Sequence, residues 1–287
     1  MLPLKDNIPL ARFPLVTVAL VAVNVVAYLL SIRHGGDFFG GPADAVATRN
    51  GAIPFELTHP GGHCLLGPLA QRGHAATSVV ACLSHHQLSA LKLATHQPAT
   101  WQTVLSSLVL HGSFVSLLAD VLGLAIFGPN VEDACGRLRF LCFYALGAVL
   151  AVALQVLLTP NSPFPVFGAR AAVGMVLGAY VLLYPRARVI TLAPVPFVAT
   201  ILALPAVLLI VVWLLVQLWF GLVGLVGPGH GWLGVLAPSY ETIRGGWLAD
   251  FLAVLATTIA GGLLIRPFAS TGRRAAKAHR TPHQPVY

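Results

Sequence analysis

Three ionisable side chains interrupt otherwise apolar stretches of this chain: Asp120, Arg170 and Asp250. A charge in a hydrocarbon core is costly, so such groups face the interior of a helix bundle and find partners there. Two acids and one base invite pairing. The set can serve as a polar site for a substrate or a proton, or as an ion pair that fixes helix packing, and Arg170 alone can also snorkel to the outer interface. Ser116 and His111 stand five residues apart on one helix, a poor spacing for a nucleophile and its base. Further along, His63, Cys64, Cys82, His85 and His86 gather metal-binding side-chain types, but their spacing fits no standard zinc pattern. No metal and no other cofactor is expected. A disulfide between Cys64 and Cys82 is expected instead, while Cys135 and Cys142 remain free thiols.

These residues sit in a chain of 287 with 57% hydrophobic and 9% charged residues, and a mean hydropathy of +0.82. Soluble domains carry roughly 25% charged residues, so a soluble globule, a disordered chain and a nucleic-acid binder are all excluded. Six runs are apolar enough to cross a bilayer core about 30 Å thick. They cover residues 13–32, 112–128, 138–158, 168–184, 197–226 and 246–265. Pro205 falls inside the fifth, which is therefore expected to kink or tilt. The first run lacks a small-residue cleavage site and reads as an uncleaved span.

The net charge of +8 bears on topology. Lys5, Arg12, Arg137, Arg139, Arg186, Arg188, Arg266, Arg273, Arg274, Lys277 and Arg280 fall on one side of the six-span scheme. The other side has only Arg33, Arg49, Arg72, Lys92 and Arg244, spread over longer loops. This bias puts both termini in the cytoplasm of a multi-pass plasma-membrane protein. Residues 1–12 are then a cytoplasmic N-terminus, 13–268 the membrane domain with a long external loop at 33–100, and 269–287 a disordered basic tail able to attract anionic lipid.

Small residues mark where helices can approach. Gly168, Gly174 and Gly178 recur along the fourth span, and Ala253, Thr257 and Gly261 lie four apart on one face of the sixth.

The stretch Trp101–Leu192 resembles the bacterial type of rhomboid intramembrane serine protease. The resemblance rests on HGSF at 111–114, FGPNVEDACGRLRF at 127–140, FYALGA at 143–148 and YPRARVITL at 184–192. GAIPFELTHPG at 51–61, LPAVLLIVVWLLVQ at 204–217 and GGLLIRPF at 261–268 extend it. It implies an all-α, six-transmembrane-helix bundle with a cavity open to the outside. In that family a Ser on the fourth span attacks a substrate's transmembrane segment and a His on the sixth is the base. A His and an Asn on the second span stabilise the oxyanion.

All four positions differ here. The family's Gly-Ala-Ser-Gly-Ala segment matches 168–172, so Arg170 stands at the nucleophile position, and Val254 stands at the base position. Ser116 and Asp120 replace the oxyanion His and Asn, while His111 is retained. No histidine lies between His230 and His279, so the sixth span has no imidazole in any register. Arg170 and Asp120 are expected to pair in the former active site, with Asp250, one turn from Val254, as a second acceptor.

The resulting expectation is a pseudoprotease, without enzyme activity, that binds transmembrane segments of client proteins within the lipid bilayer. An intramembrane serine endopeptidase using other residues is the alternative. A small transporter or channel built on the charged centre is a third reading, and no inverted repeat supports it.

Overall fold

The computed structural model describes residues 2–69, 77–91, 98–167, 169–195, 198–225 and 247–268. Its elements follow in chain order. Strand β1 (Leu2–Asp6) precedes helix α1 (Leu15–Ile32). The long loop holds α2 (Asp44–Asn50), α3 (Pro54–Thr58), β2 (His63–Leu69), β3 (Thr77–Leu83), α4 (His85–Ala90) and α5 (Thr100–Ser107). Next come α6 (Phe114–Cys135), α7 (Arg137–Leu158) and α8 (Ala169–Leu183). Strands β4 (Arg188–Val195) and β5 (Val198–Pro205) lead into α9 (Ala206–Leu225), and α10 spans Trp247–Leu264.

Among the described residues, α1, α6 and α7 are long and apolar enough to cross a membrane. Shorter apolar stretches occupy α8, α9 and α10, at Ala169–Leu183, Ala206–Leu218 and Leu248–Leu264. These six helices fall on the six apolar runs of the sequence. Leu, Val and Ile side chains such as Val26, Leu29, Leu141, Leu157, Leu208 and Leu215 are exposed along α1, α7 and α9. Such a surface suits hydrocarbon and not water.

The fifth run departs from expectation. Helix α9 begins at Ala206, and residues 198–205 instead form β5, paired antiparallel with β4 from Arg188↔Pro205 to Val195↔Val198. β1 adds to the other edge of β4, giving a three-stranded sheet. The apolar run VATILALP has no charged residue to break its helix-like look, yet it is short and ends at Pro205, which starts the next helix without a kink. An otherwise helical bundle thus carries two small sheets, the second being the β2–β3 hairpin.

Helix α8 is the centre of the bundle, with Ala169 and the whole run Ala171–Tyr180 buried. It packs against α6, α7 and α10. A methyl group at Gly178 would collide with the carbonyl oxygen of Thr258, and one at Gly261 with the carbonyl of Met175. At Gly174 it would come 2.9 Å from Thr258 Oγ1. The small residues therefore let two backbones touch. Gly136 forms the turn between α6 and α7 at φ +88°, a conformation only glycine adopts without strain. Beside it, Glu132 accepts hydrogen bonds from Val16 N (3.1 Å), Thr17 N (2.8 Å) and Thr17 Oγ1 (2.8 Å), capping the start of α1.

Candidate functional site

Arg170 lies in the first turn of α8, its side chain 12% exposed. Its Nη1 donates to Asp250 Oδ2 on α10 at 3.1 Å, and its Nη2 donates to Ser116 Oγ on α6 at 3.0 Å. Asp250 also accepts from Gln155 Nε2 of α7 at 3.1 Å through Oδ1. One ion pair thus fastens four helices together. Its hydrogen bonds are charge-assisted and partly shielded, so they are stronger than those of an open surface pair.

Asp120 does not complete this network as expected. It stands beside His111, whose Nε2 is 3.4 Å from Oδ2, and neither carboxylate oxygen accepts a hydrogen bond from the described residues. The reason is geometric. Ser116 lies one turn before Asp120 on α6 and takes the hydrogen bond that Arg170 sends to that helix, while Asp250 supplies the countercharge.

Val254 is 1% exposed and packs in an apolar cluster with Ala151, Ala171 and Ala253. Thr257 Oγ1 donates back to the Ala253 and Val254 carbonyls, keeping its hydroxyl within α10. Gly168, the loop before α10 and the 269–287 tail lie outside the described residues.

The chemistry open to this arrangement is narrow. The Ser116 hydroxyl accepts from a guanidinium, which stays protonated and cannot remove a proton from it. The sequence has no histidine between His111 and His230 or between His230 and His279, so α7, α8, α9 and α10 contribute no imidazole. His111 itself is 1% exposed and turned toward the Val109 carbonyl and Asp120.

In the long loop between α1 and α6, Cys64 and Cys82 form a disulfide across directly opposed positions of β2 and β3. Their sulfurs are bonded to each other and cannot serve a metal as thiolates. Cys135 and Cys142 are free. Glu56 is buried beneath the hairpin and accepts from Cys64 N at 2.7 Å, with His63 Nδ1 3.7 Å away. Burial pushes its carboxyl above the usual range, while the Cys64 N–H and His63 pull it back in part.

Sequence reasoning named Arg170, Asp250 and Ser116 but missed Gln155 as the second donor to Asp250. The signal was available, since Gln155 is the polar interruption in the apolar run of α7. A family model described as the Rhomboid domain matches residues 98–265. No curated protein and no solved structure matches the chain.

Proposed function

The chain belongs to the rhomboid family, and we propose that within it this protein binds transmembrane segments of other membrane proteins without cutting them. The observation that carries this reading is Arg170 at the family's nucleophile position, hydrogen-bonded to Asp250 and Ser116. Peptide hydrolysis by this family needs a nucleophile and a base that takes its proton. Here the first is a guanidinium and the second an isopropyl group, and loss of either removes orders of magnitude of rate. The pair is not sealed, since the Asp250 side chain is 27% exposed. It offers a client helix a locally neutral polar face among apolar ones.

The basic residues clustered on one side of the six-helix scheme support a plasma-membrane location with both termini cytoplasmic. A reporter fused to the C-terminus tests that orientation.

The test of function uses the full chain in liposomes with a fluorescent transmembrane peptide of the kind rhomboids cleave. Saturable binding without cleavage is the expected result, with no labelling by a fluorophosphonate. Cleavage that disappears in a Ser116→Ala variant would overturn the proposal in favour of an endopeptidase.

A further inference from the structure

Four buried polar side chains form a second cluster, separate from the Arg170 pair. They are Asn24 on α1 (3% exposed), His111 before α6 (1%), Asp120 on α6 (3%) and Tyr144 on α7 (3%). His111 Nε2 and Asp120 Oδ2 are 3.4 Å apart, and the Tyr144 hydroxyl lies beside Asn24, outside hydrogen-bond geometry with it, and within electrostatic range of Asp120. Among the described residues, both Asp120 oxygens, His111 Nε2, Asn24 Oδ1 and the Tyr144 hydroxyl have no hydrogen-bond partner. Buried polar atoms without partners are rare, and five in one place call for a cause.

Main-chain carbonyls set what these groups present. Asn24 Nδ2 donates to the Leu20 carbonyl at 2.7 Å, so the inward end of the amide is its oxygen. His111 Nδ1 lies 3.2 Å from the Val109 carbonyl, which can only accept. Nδ1 therefore carries the ring proton and Nε2 presents a lone pair. The carboxylate oxygen is within reach of Nε2 but off its N–H direction, so a proton placed there makes no hydrogen bond.

The cluster is accordingly rich in lone pairs and poor in hydrogens. Four acceptor atoms face one hydroxyl hydrogen. A single water brings two more hydrogens, which leaves one acceptor unmatched and the carboxylate's charge buried. A positive ion satisfies every lone pair at once.

We propose that Asn24, His111, Asp120 and Tyr144 bind a small monovalent metal cation, sodium by chemistry. Most of the donors are oxygens, which select hard cations. The single charge of Asp120 balances one positive charge and leaves a neutral site, the condition that makes burial tolerable. Two donors at about 2.4 Å from one ion, at a right angle to each other, stand about 3.4 Å apart, the spacing of Nε2 and Oδ2. Arg170 sends Nη1 to Asp250 and Nη2 to Ser116, and the Asp120 oxygens accept no hydrogen bond from the described residues. The site ties α1, α6 and α7 together and is independent of whether the protein cleaves or only binds its clients.

The experiment is thermal unfolding of the full chain in detergent, in sodium, potassium or choline chloride at matched ionic strength and pH. Tm should rise saturably with sodium, less with potassium and not with choline. The rise should reach about 4–5 °C at a hundredfold excess over Kd. Asp120→Asn removes the charge with little change of shape and should abolish the response. Tyr144→Phe, which keeps the packing, should raise the sodium midpoint several-fold. Equal Tm in all three salts overturns the proposal even if no variant folds. A sodium response retained in full by Asp120→Asn overturns it too, as does a Tm that follows pH and ignores the cation.

Discussion

Arg170 Nη1 and Asp250 Oδ2 meet at 3.1 Å, joining the first turn of α8 to the first turn of α10. Removing the guanidinium strands a partly buried carboxylate. Arg170→Ala should therefore destabilise the protein by about 2–3 kcal/mol, less than a fully buried pair because Asp250 is 27% exposed. Asp250→Asn should cost less, and the double variant less than the sum. A double-mutant cycle on unfolding in detergent should give a coupling of about 1–2 kcal/mol between these sites. Coupling between Arg170 and Asp120 should be smaller. Strict additivity of Arg170 and Asp250 would mean that the pair contributes nothing.

The contact between α8 and α10 makes a second prediction. Gly178→Ala and Gly261→Ala each place a methyl group into opposing backbone, which cannot swing aside as a side chain can. Each should destabilise by about 1–3 kcal/mol or more, the range for an overpacked core. Gly262→Ala is the control, because its methyl would stand 3.3 Å from the Gly178 carbonyl oxygen and needs only a small shift. Comparable Tm losses at all three positions would remove the close-approach explanation.

Which of these relationships could be read from the sequence follows from their range. Arg170 and Asp250 are visible as charges in apolar runs, and the small residues of α8 and α10 as a periodic stripe. Pairing of Asp120 with His111 is not, because His111 lies in the turn before α6, where helical spacing says nothing of direction. Glu132 likewise carries no mark of its role in the sequence, and only the fold carries it to the α1 amides 115 residues away. The β4–β5 hairpin was hidden for a different reason. An apolar strand and the start of an apolar helix have the same composition, and only length and Pro205 distinguish them.

Glu56 gives a pH dependence with a definite sign. Burial raises its carboxyl above the ordinary value, so the folded state binds a proton more tightly than the unfolded chain does. Its contribution to stability is full below the ordinary carboxylate range and is lost as pH rises through the raised value. Glu56→Gln keeps an oxygen for Cys64 N and removes the titration. The variant should match the parent in acid, exceed its Tm at neutral pH and flatten the profile. A parent Tm that climbs steadily from pH 4 to pH 7, unchanged in slope by Glu56→Gln, would refute it.

The Cys64–Cys82 disulfide closes a loop of sequence separation 18. Loop-closure entropy for that length is worth about 3 kcal/mol. Reductant, or Cys64→Ser with Cys82→Ser, should lower Tm, and non-reducing mass spectrometry should find no free thiol at either position. Free thiols at both would exclude the bridge.

The proposed lack of proteolysis rests on two positions, Arg170 and Val254. Arg170→Ser restores a hydroxyl but breaks the ion pair with Asp250 and leaves Val254 at the base position, 1% exposed and apolar. Without an imidazole that hydroxyl stays protonated and weakly nucleophilic, so the single variant should react with a fluorophosphonate no faster than the parent. Adding Val254→His places a base on α10, the helix already packed against α8. General-base assistance is worth about 100- to 10,000-fold, so labelling should rise by at least two orders of magnitude in Arg170→Ser/Val254→His. Asp250 lies one turn before the new histidine and, freed from Arg170, is placed to orient it or to draw it away. A third change, Asp250→Asn, distinguishes these outcomes: labelling that falls means orientation, and labelling that rises means competition. Equal labelling of the parent, the single and the double variant would show that Arg170 and Val254 do not decide the reactivity of this site.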